Sequence, residues 1–369
     1  MVLKRLFTAV VAVFSLLHFA AALDLLSRTN LVVYYGQAPD QPRLRDICLN
    51  DRFTNVIILA FVNVFPEQGK GGYPGTNFGN QCSAEVFKNE EGVDTELLSG
   101  CQNLIEDIPV CQSEGVRVML SLGGGLGSYA VTNKRAAEKF ADFLWGAFGP
   151  KTPAWANKPR PFGDVIIDGF DFDIEHNRFF VYTPYIFMVD RLRLHFSGYP
   201  AKEFLISAAP QCPVTERELD SVIKYADFDF ISIQFYNTYE CSARNWVIEG
   251  DQSGFTSTLD EWMRLISDSV NPGTRVLFGL PGAPDAAQAG YYLNVREVGD
   301  LFDEFMVKYP DQIGGAMLWD ATYALRNEGS KHDHHHVEHF NEHFNDFQLY
   351  NYHSVNYWVG LHHFVDNIA

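Results

Sequence analysis

Residues 168–175 read DGFDFDIE, in which acidic residues alternate with Phe and Ile. The three residues before them, 165–167, are all apolar. A run of this length predicts a buried β-strand, and carboxylates in such a strand cost free energy unless they are paired, hydrogen-bonded or protonated. Seven other short runs rich in Val, Ile, Leu and Phe are also candidate strands. They are LVVYYGQ from Leu31, NVIILAFV from Asn55, VRVMLSLGGG from Val116, FLISAAP from Phe204, FDFISIQFY from Phe228, RVLFGLPG from Arg275 and GGAMLWD from Gly314.

Helix-length segments separate these eight candidate strands, and 133–148, 184–196 and 259–270 are predicted helices. Eight alternating strand and helix units over roughly 300 residues predict a single (β/α)8 barrel, the TIM-barrel fold of the α/β class. The main alternative is an open doubly wound sheet, which usually carries a glycine-rich phosphate loop after its first strand. GQAPDQP at 36–42 is not such a loop, and 283–313 is too short for an inserted domain.

Composition and charge narrow the possible partners. The chain has 369 residues, of which 47% are hydrophobic, and this length supplies a sizeable core. Its formal net charge is −18, which argues against nucleic acid or an anionic membrane as a general partner. A neutral or cationic ligand fits better. We expect the protein to act as a monomer.

The amino-terminal residues have the pattern of a secretory signal. Lys4 and Arg5 precede an apolar run at 6–23, which includes three consecutive alanines near its end. This pattern predicts a signal peptide at 1–22 and a secreted protein, located outside the cell or in the cell wall. An uncleaved anchor helix is the alternative. Because no other stretch is long and apolar enough to cross a bilayer, we expect no membrane contact after cleavage.

Six cysteines follow the predicted signal peptide. An even number in an exported chain predicts three disulfides, but six cysteines allow 15 pairings, and the residues alone do not choose among them. No CxxC pair occurs, so a zinc site is not expected. We expect neither a metal ion nor a cofactor.

The carboxyl-terminal end is rich in histidine and contains nine of the 12 histidines of the chain. His335, His339 and His343 have the i, i+4 spacing that places side chains on one face of a helix. Metal binding is one interpretation of this spacing. We favour the other, a solvated and partly disordered tail at 329–369 that is not needed to close a barrel at 23–328.

Polar side chains stand where the predicted strands end. In a (β/α)8 barrel the carboxyl-terminal ends of all strands meet at one face, which carries the active site. Turn residues would explain one or two such positions, but so many favour a functional site. The set comprises Gln37, Asn63, Ser121, Glu175, Gln211, Gln234, Tyr236, Asn237 and Trp319.

The acidic strand has two different faces. Residues two apart on a strand share a face, so Asp171, Asp173 and Glu175 point the same way, whereas Asp168 points the other way at the entry of the strand. Like charges on one face repel, so at least one carboxyl should keep its proton well above its ordinary pKa. The outermost group, Glu175, is the candidate general acid. A structural carboxylate ladder and a metal site are the alternatives.

DGFDFDIE resembles the DxxDxDxE signature of family 18 glycoside hydrolases, the chitinase family. Motifs of the first, third, sixth and eighth strands agree in order: YYGQ (34–37), SLGGG (121–125), QFYN (234–237) and MLWD (317–320). The chain is most similar to the compact fungal and plant-type (class III) endochitinases, which lack an inserted domain before the last strand. The resemblance covers residues 31–324 approximately.

This resemblance implies an endochitinase that hydrolyses β-1,4 linkages between N-acetylglucosamine units with retention of configuration. In this family the substrate's own N-acetyl oxygen attacks the anomeric carbon, an exception to the two-carboxylate scheme. By resemblance, Glu175 protonates the leaving oxygen and then activates water. Asp173 orients the acetamido N–H, Asp171 supports Asp173 by sharing a proton, and Tyr236 donates its hydroxyl to the acetamido oxygen.

The resemblance also implies substrate contacts and a disulfide pattern. Trp319 would form the floor under the reacting sugar. The other implied substrate contacts are Gln37, Gly123, Gly124, Gln234 and Asn237. The implied disulfides are Cys48–Cys111, Cys82–Cys101 and Cys212–Cys241.

The main expectation is a chitinase that acts on chitin or chitin oligosaccharides, and two other functions are alternatives to it. One is a non-catalytic chitin-oligosaccharide-binding protein on the same fold. The other is an endo-β-N-acetylglucosaminidase that acts on N-glycans. The presence of Glu175, Asp173 and Tyr236 favours the active chitinase.

Overall fold

The computed structural model describes most of the chain between Leu23 and Asn327. The gaps within this range are 52, 128, 177–181 and 216–218. The predicted signal peptide at 1–22 and the predicted tail at 329–369 therefore lie outside the described residues.

Ten strands are present in the described part of the chain, and eight of them form a closed parallel barrel. The barrel closes because β1 pairs with both β2 and β10, and the remaining barrel strands follow in chain order. The exceptions, β3 and β4, form an antiparallel hairpin after β2. This architecture confirms the predicted (β/α)8 barrel without an inserted domain before the last strand. The strands are β1 (Asn30–Tyr35), β2 (Thr54–Val62), β3 (Val86–Lys88), β4 (Asp94–Leu98), β5 (Arg117–Gly123), β6 (Gly169–Asp173), β7 (Leu205–Ala208), β8 (Phe230–Gln234), β9 (Arg275–Pro281) and β10 (Ile313–Trp319).

Helices surround the barrel, and the three predicted from the sequence correspond to α3, α4 and α7. Side-chain caps begin several of them: Asn133 accepts a hydrogen bond from the Ala136 N–H at 3.0 Å at the start of α3. Within the described residues, no helix combines the length and apolar character needed to cross a membrane. The helices are α1 (Leu44–Asn50), α2 (Gln102–Ser113), α3 (Lys134–Phe148), α4 (Thr183–Ser197), α5 (Leu219–Tyr225), α6 (Ala243–Glu249), α7 (Gly254–Ser267), α8 (Val295–Lys308) and α9 (Ala321–Arg326).

The alternation of residues along β6 places its acids inside the barrel. Phe170 and Phe172 belong to the apolar layer between the barrel and the helices. Asp171 and Asp173 alternate with them and are buried on the opposite face, towards the barrel axis. The strand therefore puts rings on its outer face and carboxyls on its inner face.

The barrel interior is apolar over much of its length. A cluster inside the barrel includes Val32, Ile58 and Met317, and the side chains of Leu23 and Leu25 pack against it. Apolar filling of this kind is typical of (β/α)8 barrels, whose interior is a packed core and not a pore. The carboxyls of β6 are thus held in a region of low polarity.

Three disulfides join the six cysteines in the pairing that the family resemblance implies. The first joins α1 to α2, the second encloses the hairpin of β3 and β4, and the third links the residues after β7 to those after β8. The third bond therefore lies beside the carboxyl-terminal face of the barrel. The bonds are Cys48–Cys111, Cys82–Cys101 and Cys212–Cys241.

Candidate active site

Asp171 is fully buried and accepts hydrogen bonds from three hydroxyl groups. Its Oδ2 accepts from the hydroxyls of Tyr34 at 2.7 Å and Ser121 at 2.6 Å, and its Oδ1 accepts from Ser207 at 2.7 Å. Strand pairing explains two of these bonds, because Ser121 on β5 and Ser207 on β7 lie directly opposite Asp171. Burial raises the pKa of Asp171, and the three hydroxyls partly offset that rise.

Asp173 lies one step further towards the carboxyl-terminal face. Its Oδ1 accepts a hydrogen bond from Gln234 Nε2 at 2.9 Å, and the same amide nitrogen donates to the Ala209 carbonyl at 3.0 Å. Burial raises the pKa of Asp173 well above its ordinary value, and repulsion from Glu175 and Asp171 adds to the rise. Asp173 and Glu175 are therefore a pair that does not readily lose both protons.

Glu175 lies just beyond the end of β6, where it is partly exposed. Burial raises the pKa of its carboxyl, whereas hydrogen bonds from Gln234 and Gln211 and the charge of His176 act in the opposite direction. The sequence predicted that repulsion by Asp173 keeps a proton on Glu175. In the structure the pKa of Glu175 is raised by burial, and the repulsion between the two carboxyls raises the pKa of Asp173 instead.

Tyr236 follows β8 and is only 7% exposed. Burial raises the pKa of its phenol well above the ordinary value, and the neighbouring Asp173 and Glu175 raise it further. The hydroxyl therefore stays protonated and can act as a hydrogen-bond donor close to both carboxyls.

Three aromatic rings form one wall of the barrel mouth. The ring of Trp319, at the end of β10, stacks on Phe61 with centroids 5.8 Å apart and an interplanar angle of 21°. The third ring is that of Tyr34, whose centroid lies 5.4 Å from that of Trp319. The hydroxyl of this same Tyr34 donates to Asp171, so the wall is joined to the carboxyl row. This wall offers an apolar surface next to the carboxyls, which suits the flat face of a sugar ring.

Gly123 and Gly124, two of the implied substrate contacts, allow the backbone at the end of β5 to approach its neighbours. Both have positive φ, 111° for Gly123 and 89° for Gly124. A Cβ on Gly123 would lie 2.2 Å from the Asp173 carbonyl oxygen, and one on Gly124 would lie 2.9 Å from the Phe61 ring. The Gly124 N–H donates to the Asp173 carbonyl at 2.7 Å. These glycines therefore position the site through the backbone.

The structure places two other predicted contacts at the rim. The amide nitrogen of Gln37 donates to three backbone carbonyls, including that of Ala60 at 2.7 Å, so it fixes the loops after β1 and β2. Asn237 is exposed, has a positive φ of 63°, and accepts from the Gln288 N–H at 2.9 Å. Both residues lie at the carboxyl-terminal face, as the sequence predicted.

Asp168 lies at the opposite end of β6, as its position in the sequence indicated. It accepts from the Val118 N–H at 2.8 Å and from Gln112 Nε2 at 2.7 Å, and it pairs with Lys202 at 2.9 Å and Arg117 at 3.5 Å. These partners account for its charge. Asp168 is thus a structural carboxylate that holds the amino-terminal ends of the strands together.

Several residues at the site were not predicted from the sequence. Tyr34 and Ser207 donate hydrogen bonds to Asp171, and Phe61 stacks on Trp319. The hydroxyl of Tyr129 accepts a hydrogen bond from the Glu175 N–H at 3.1 Å. Strand parity could have found Tyr34 and Ser207, because both occupy inward positions on their strands. Nothing in the local pattern marks Tyr129, which lies in the loop after β5.

The carboxyls of β6 form a row that ends at the carboxyl-terminal face of the barrel, the face at which (β/α)8 enzymes carry their active sites. The profile of glycosyl hydrolases family 18 matches residues 30–283. The chain belongs to this family, as the motifs indicated.

Comparison with known proteins agrees with this membership. Endochitinase A of Aspergillus niger is 46% identical over 330 residues, which cover 89% of this chain and 26% of that protein. The chain thus spans about a quarter of the length of this relative.

Two solved structures share the barrel. A chitinase from Ipomoea carnea has a TM-score of 0.63 and 26% identity, covering 80% of this chain and 95% of that one. A xylanase and α-amylase inhibitor protein from Scadoxus multiflorus has a TM-score of 0.64 and 28% identity, covering 80% of this chain and 94% of that one. The fold alone therefore does not distinguish an enzyme from a binding protein.

Proposed function

We propose that the protein is an endochitinase that cleaves β-1,4 linkages between N-acetylglucosamine units by substrate-assisted, retaining catalysis. The observation that carries the proposal is the row of Asp171, Asp173 and Glu175 at the carboxyl-terminal end of β6, in which Gln234 holds Asp173 and the buried Tyr236 lies close to both outer carboxyls. Endochitinases of fungi among the relatives support the substrate class.

Glu175 acts as the general acid and base. The raised pKa of its carboxyl keeps a proton available for the leaving glycosidic oxygen at mildly acidic pH. Its position at the rim gives it access to the substrate and later to water. After the leaving sugar departs, the carboxylate accepts a proton from the attacking water molecule.

Asp173 and Tyr236 orient the acetamido group of the substrate. Asp173 accepts a hydrogen bond from the acetamido N–H, while the Tyr236 hydroxyl donates to the acetamido oxygen. The attack on the anomeric carbon is intramolecular because the acetamido oxygen belongs to the same sugar. The two contacts hold that oxygen in place and so lower the entropic cost of the attack. The amide of Gln234 fixes the Asp173 carboxyl in the orientation that this role needs.

Asp171 stabilises the charge of its neighbour. Its three hydroxyl donors favour the ionised carboxyl whereas burial favours the protonated one, so a proton can be shared between Asp171 and Asp173 as positive charge develops on the sugar. Trp319 and the rings around it supply the apolar floor beneath that sugar.

A pair of matched substrates tests this proposal. A hexamer of N-acetylglucosamine should be cleaved internally, whereas a hexamer of glucose with the same β-1,4 linkage should not be cleaved, because it lacks the acetamido oxygen. Chromatography of the products over time gives both rates. Cleavage of both hexamers at similar rates would rule out the substrate-assisted reaction.

The hexamer assay, with a glycoprotein added as a third substrate, also distinguishes the two other functions. A protein that binds the hexamer and never cleaves it is a binding protein, a possibility that the inhibitor with the same fold keeps open. Release of N-glycans from a glycoprotein without cleavage of the hexamer would identify an endo-β-N-acetylglucosaminidase.

We further propose that the protein is secreted. Three disulfides suit an oxidising compartment, and the residues before Leu23 have the pattern of a signal peptide. Amino-terminal sequencing of the protein from a culture medium should find a mature chain that begins near Leu23. Retention of the whole product in the cell would contradict this proposal.

A further inference from the structure

Tyr129 lies in the loop between β5 and α3 and is only 2% exposed. Its hydroxyl donates to the Gly124 carbonyl at 2.8 Å and accepts from the N–H groups of Glu175 at 3.1 Å and His176 at 3.4 Å. Burial raises the pKa of this phenol, so it keeps the proton that it donates. One hydroxyl thus joins the glycine segment after β5 to the residues that follow β6.

The strand ladder ends before it reaches Glu175. The pairing of β5 with β6 runs as far as Gly123 opposite Asp173, and the Gly124 N–H makes the last bond, to the Asp173 carbonyl. Beyond that point the backbone N–H of Glu175 donates to a side chain, the Tyr129 hydroxyl. The backbone that carries Glu175 is therefore held there by the tyrosine.

The glycine segment is also close to the Glu175 carboxyl. A Cβ on Gly125 would lie 3.1 Å from Glu175 Oε2, so the backbone of this segment lies against the carboxyl group. The Tyr129 hydroxyl binds the carbonyl of Gly124, the preceding residue. A change in the spacing between the glycine segment and Glu175 would therefore move the carboxyl directly.

The ring of Tyr129 is itself held by packing. Its centroid lies 5.1 Å from that of Phe65 and 4.3 Å from that of His176. The Nδ1 atom of His176 lies 3.3 Å from the Tyr129 hydroxyl. Because these contacts involve the ring, loss of the hydroxyl alone should leave the ring in place.

We propose that Tyr129 is a positioning residue that fixes the Glu175 carboxyl relative to the scissile bond. This inference rests on the proposed function, in which Glu175 is the general acid. Tyr129 itself contacts the backbone and not the carboxyl, so its effect is indirect. The effect should appear in the chemical step more than in substrate binding.

The substitution Tyr129→Phe removes the hydroxyl and keeps the ring. A small misplacement of a catalytic group costs up to about a hundredfold in rate, so kcat should fall between about tenfold and a hundredfold, with KM within about twofold. The alkaline limb of the pH–rate profile should move to lower pH, because a carboxyl that is free to turn towards solvent loses part of the burial that raises its pKa. A merely structural residue would leave this limb in place.

Tyr309→Phe is the matched control. The Tyr309 hydroxyl also binds a neighbouring group, the carboxylate of Asp260, but it lies before β10 at the opposite end of the barrel. This variant should lose stability without a change in kcat or in the pH profile. If Tyr129→Phe has the same kcat and pH profile as Tyr309→Phe while the wild type cleaves the hexamer, the proposal for Tyr129 is wrong. A wild type that does not cleave the hexamer contradicts the proposed function instead.

Hydrogen exchange of the wild-type protein tests the proposal without any variant. The amide hydrogens of Glu175 and His176 should exchange slowly, because the buried Tyr129 hydroxyl accepts both hydrogen bonds. Exchange at the rate of an unstructured peptide at both amides would overturn the proposal, even if Tyr129→Phe fails to fold.

Discussion

The Tyr34 hydroxyl donates a hydrogen bond to Asp171 Oδ2 at 2.7 Å, from β1 to β6 through the barrel interior. Tyr34 also packs against Trp319, so one side chain contacts both the carboxyl row and the aromatic floor. The hydrogen bonding of Asp171 therefore depends on the same side chain that packs against the proposed sugar-binding surface.

Substitution of Tyr34 by Phe should affect activity and stability together. A hydrogen bond to a charged group contributes about 1.5–3 kcal/mol, and its loss would raise the pKa of Asp171 further and change how a proton is shared with Asp173. We expect a fall in kcat of about tenfold or more. Steady-state kinetics and chemical denaturation measure the two effects.

Tyr35→Phe is the control for this prediction. Tyr35 is adjacent on β1, is equally buried, and donates to the Pro42 carbonyl on the outer face of the strand. Its hydroxyl can be removed at a cost in stability, with kcat within about twofold of wild type. Equal losses of kcat in both variants would contradict a special role for the Tyr34 bond.

The pH dependence should follow the protonation of Glu175. Because burial raises the pKa of this carboxyl, the acid form persists above the ordinary glutamate pKa of about 4.3 and disappears as the pH rises further. The rate should therefore be highest on the acidic side and fall towards alkaline pH. Measurement of kcat/KM from pH 3 to 9 tests this, and a flat profile would contradict it.

The buried Asp173 should weaken the fold at neutral pH. The pKa of Asp173 is higher in the folded protein than in the unfolded chain. At pH values between these two pKa values the folded protein therefore binds more protons than the unfolded chain. The free energy of unfolding consequently falls as the pH rises through this range. Asp173→Asn should therefore melt above wild type at pH 7, with the difference shrinking towards pH 3, while activity is lost. Thermal melting at several pH values measures this difference.

Asp168→Asn provides the contrast on the same strand. Asp168 pairs with Lys202 and accepts from the Val118 N–H, so loss of its charge should destabilise the protein by about 1–3 kcal/mol at pH 7. A stabilising Asp168→Asn, or a destabilising Asp173→Asn, would show that the two carboxyls have been assigned the wrong roles.

The disulfides should differ in their effect on activity. Cys48–Cys111 closes 63 residues and Cys212–Cys241 closes 29, so the chain-entropy estimate gives about 4 and about 3.5 kcal/mol of stability. Of these two disulfides, Cys212–Cys241 is the one that lies beside the site, next to Gln211. Replacement of Cys212 and Cys241 by Ser should lower kcat, whereas replacement of the first pair should lower stability alone. Kinetics and denaturation of both double variants test this.

Much of the fold was predictable from periodicity. All eight apolar runs are barrel strands, because parallel strands buried on both faces need continuous apolar sequence. The hairpin of β3 and β4 was not predicted. β3 has three residues, none of them buried, and only Thr95 and Leu97 of β4 are buried, so neither strand carries a long apolar run.

The site was predictable where residues follow strand parity and not where loops supply them. Parity predicted that Asp171 and Asp173 share a face and that Asp168, at the entry, has the opposite one, and in the structure the shared face is the inner one. Tyr129 acts through a hydroxyl that reaches residues 46 positions away in sequence, and such a contact depends on how the loop folds. The cause of the raised pKa of Glu175 was not predictable either, because the burial of its carboxyl depends on how the whole rim folds.

The most direct test of the proposed mechanism compares wild type with Glu175→Gln on a hexamer of N-acetylglucosamine, with the anomer of the first products recorded by NMR. We predict β-anomer products from wild type, and a Glu175→Gln variant that still binds the hexamer but loses nearly all turnover. Products that first appear as the α-anomer, or a Glu175→Gln variant that remains fully active, would contradict the central claim.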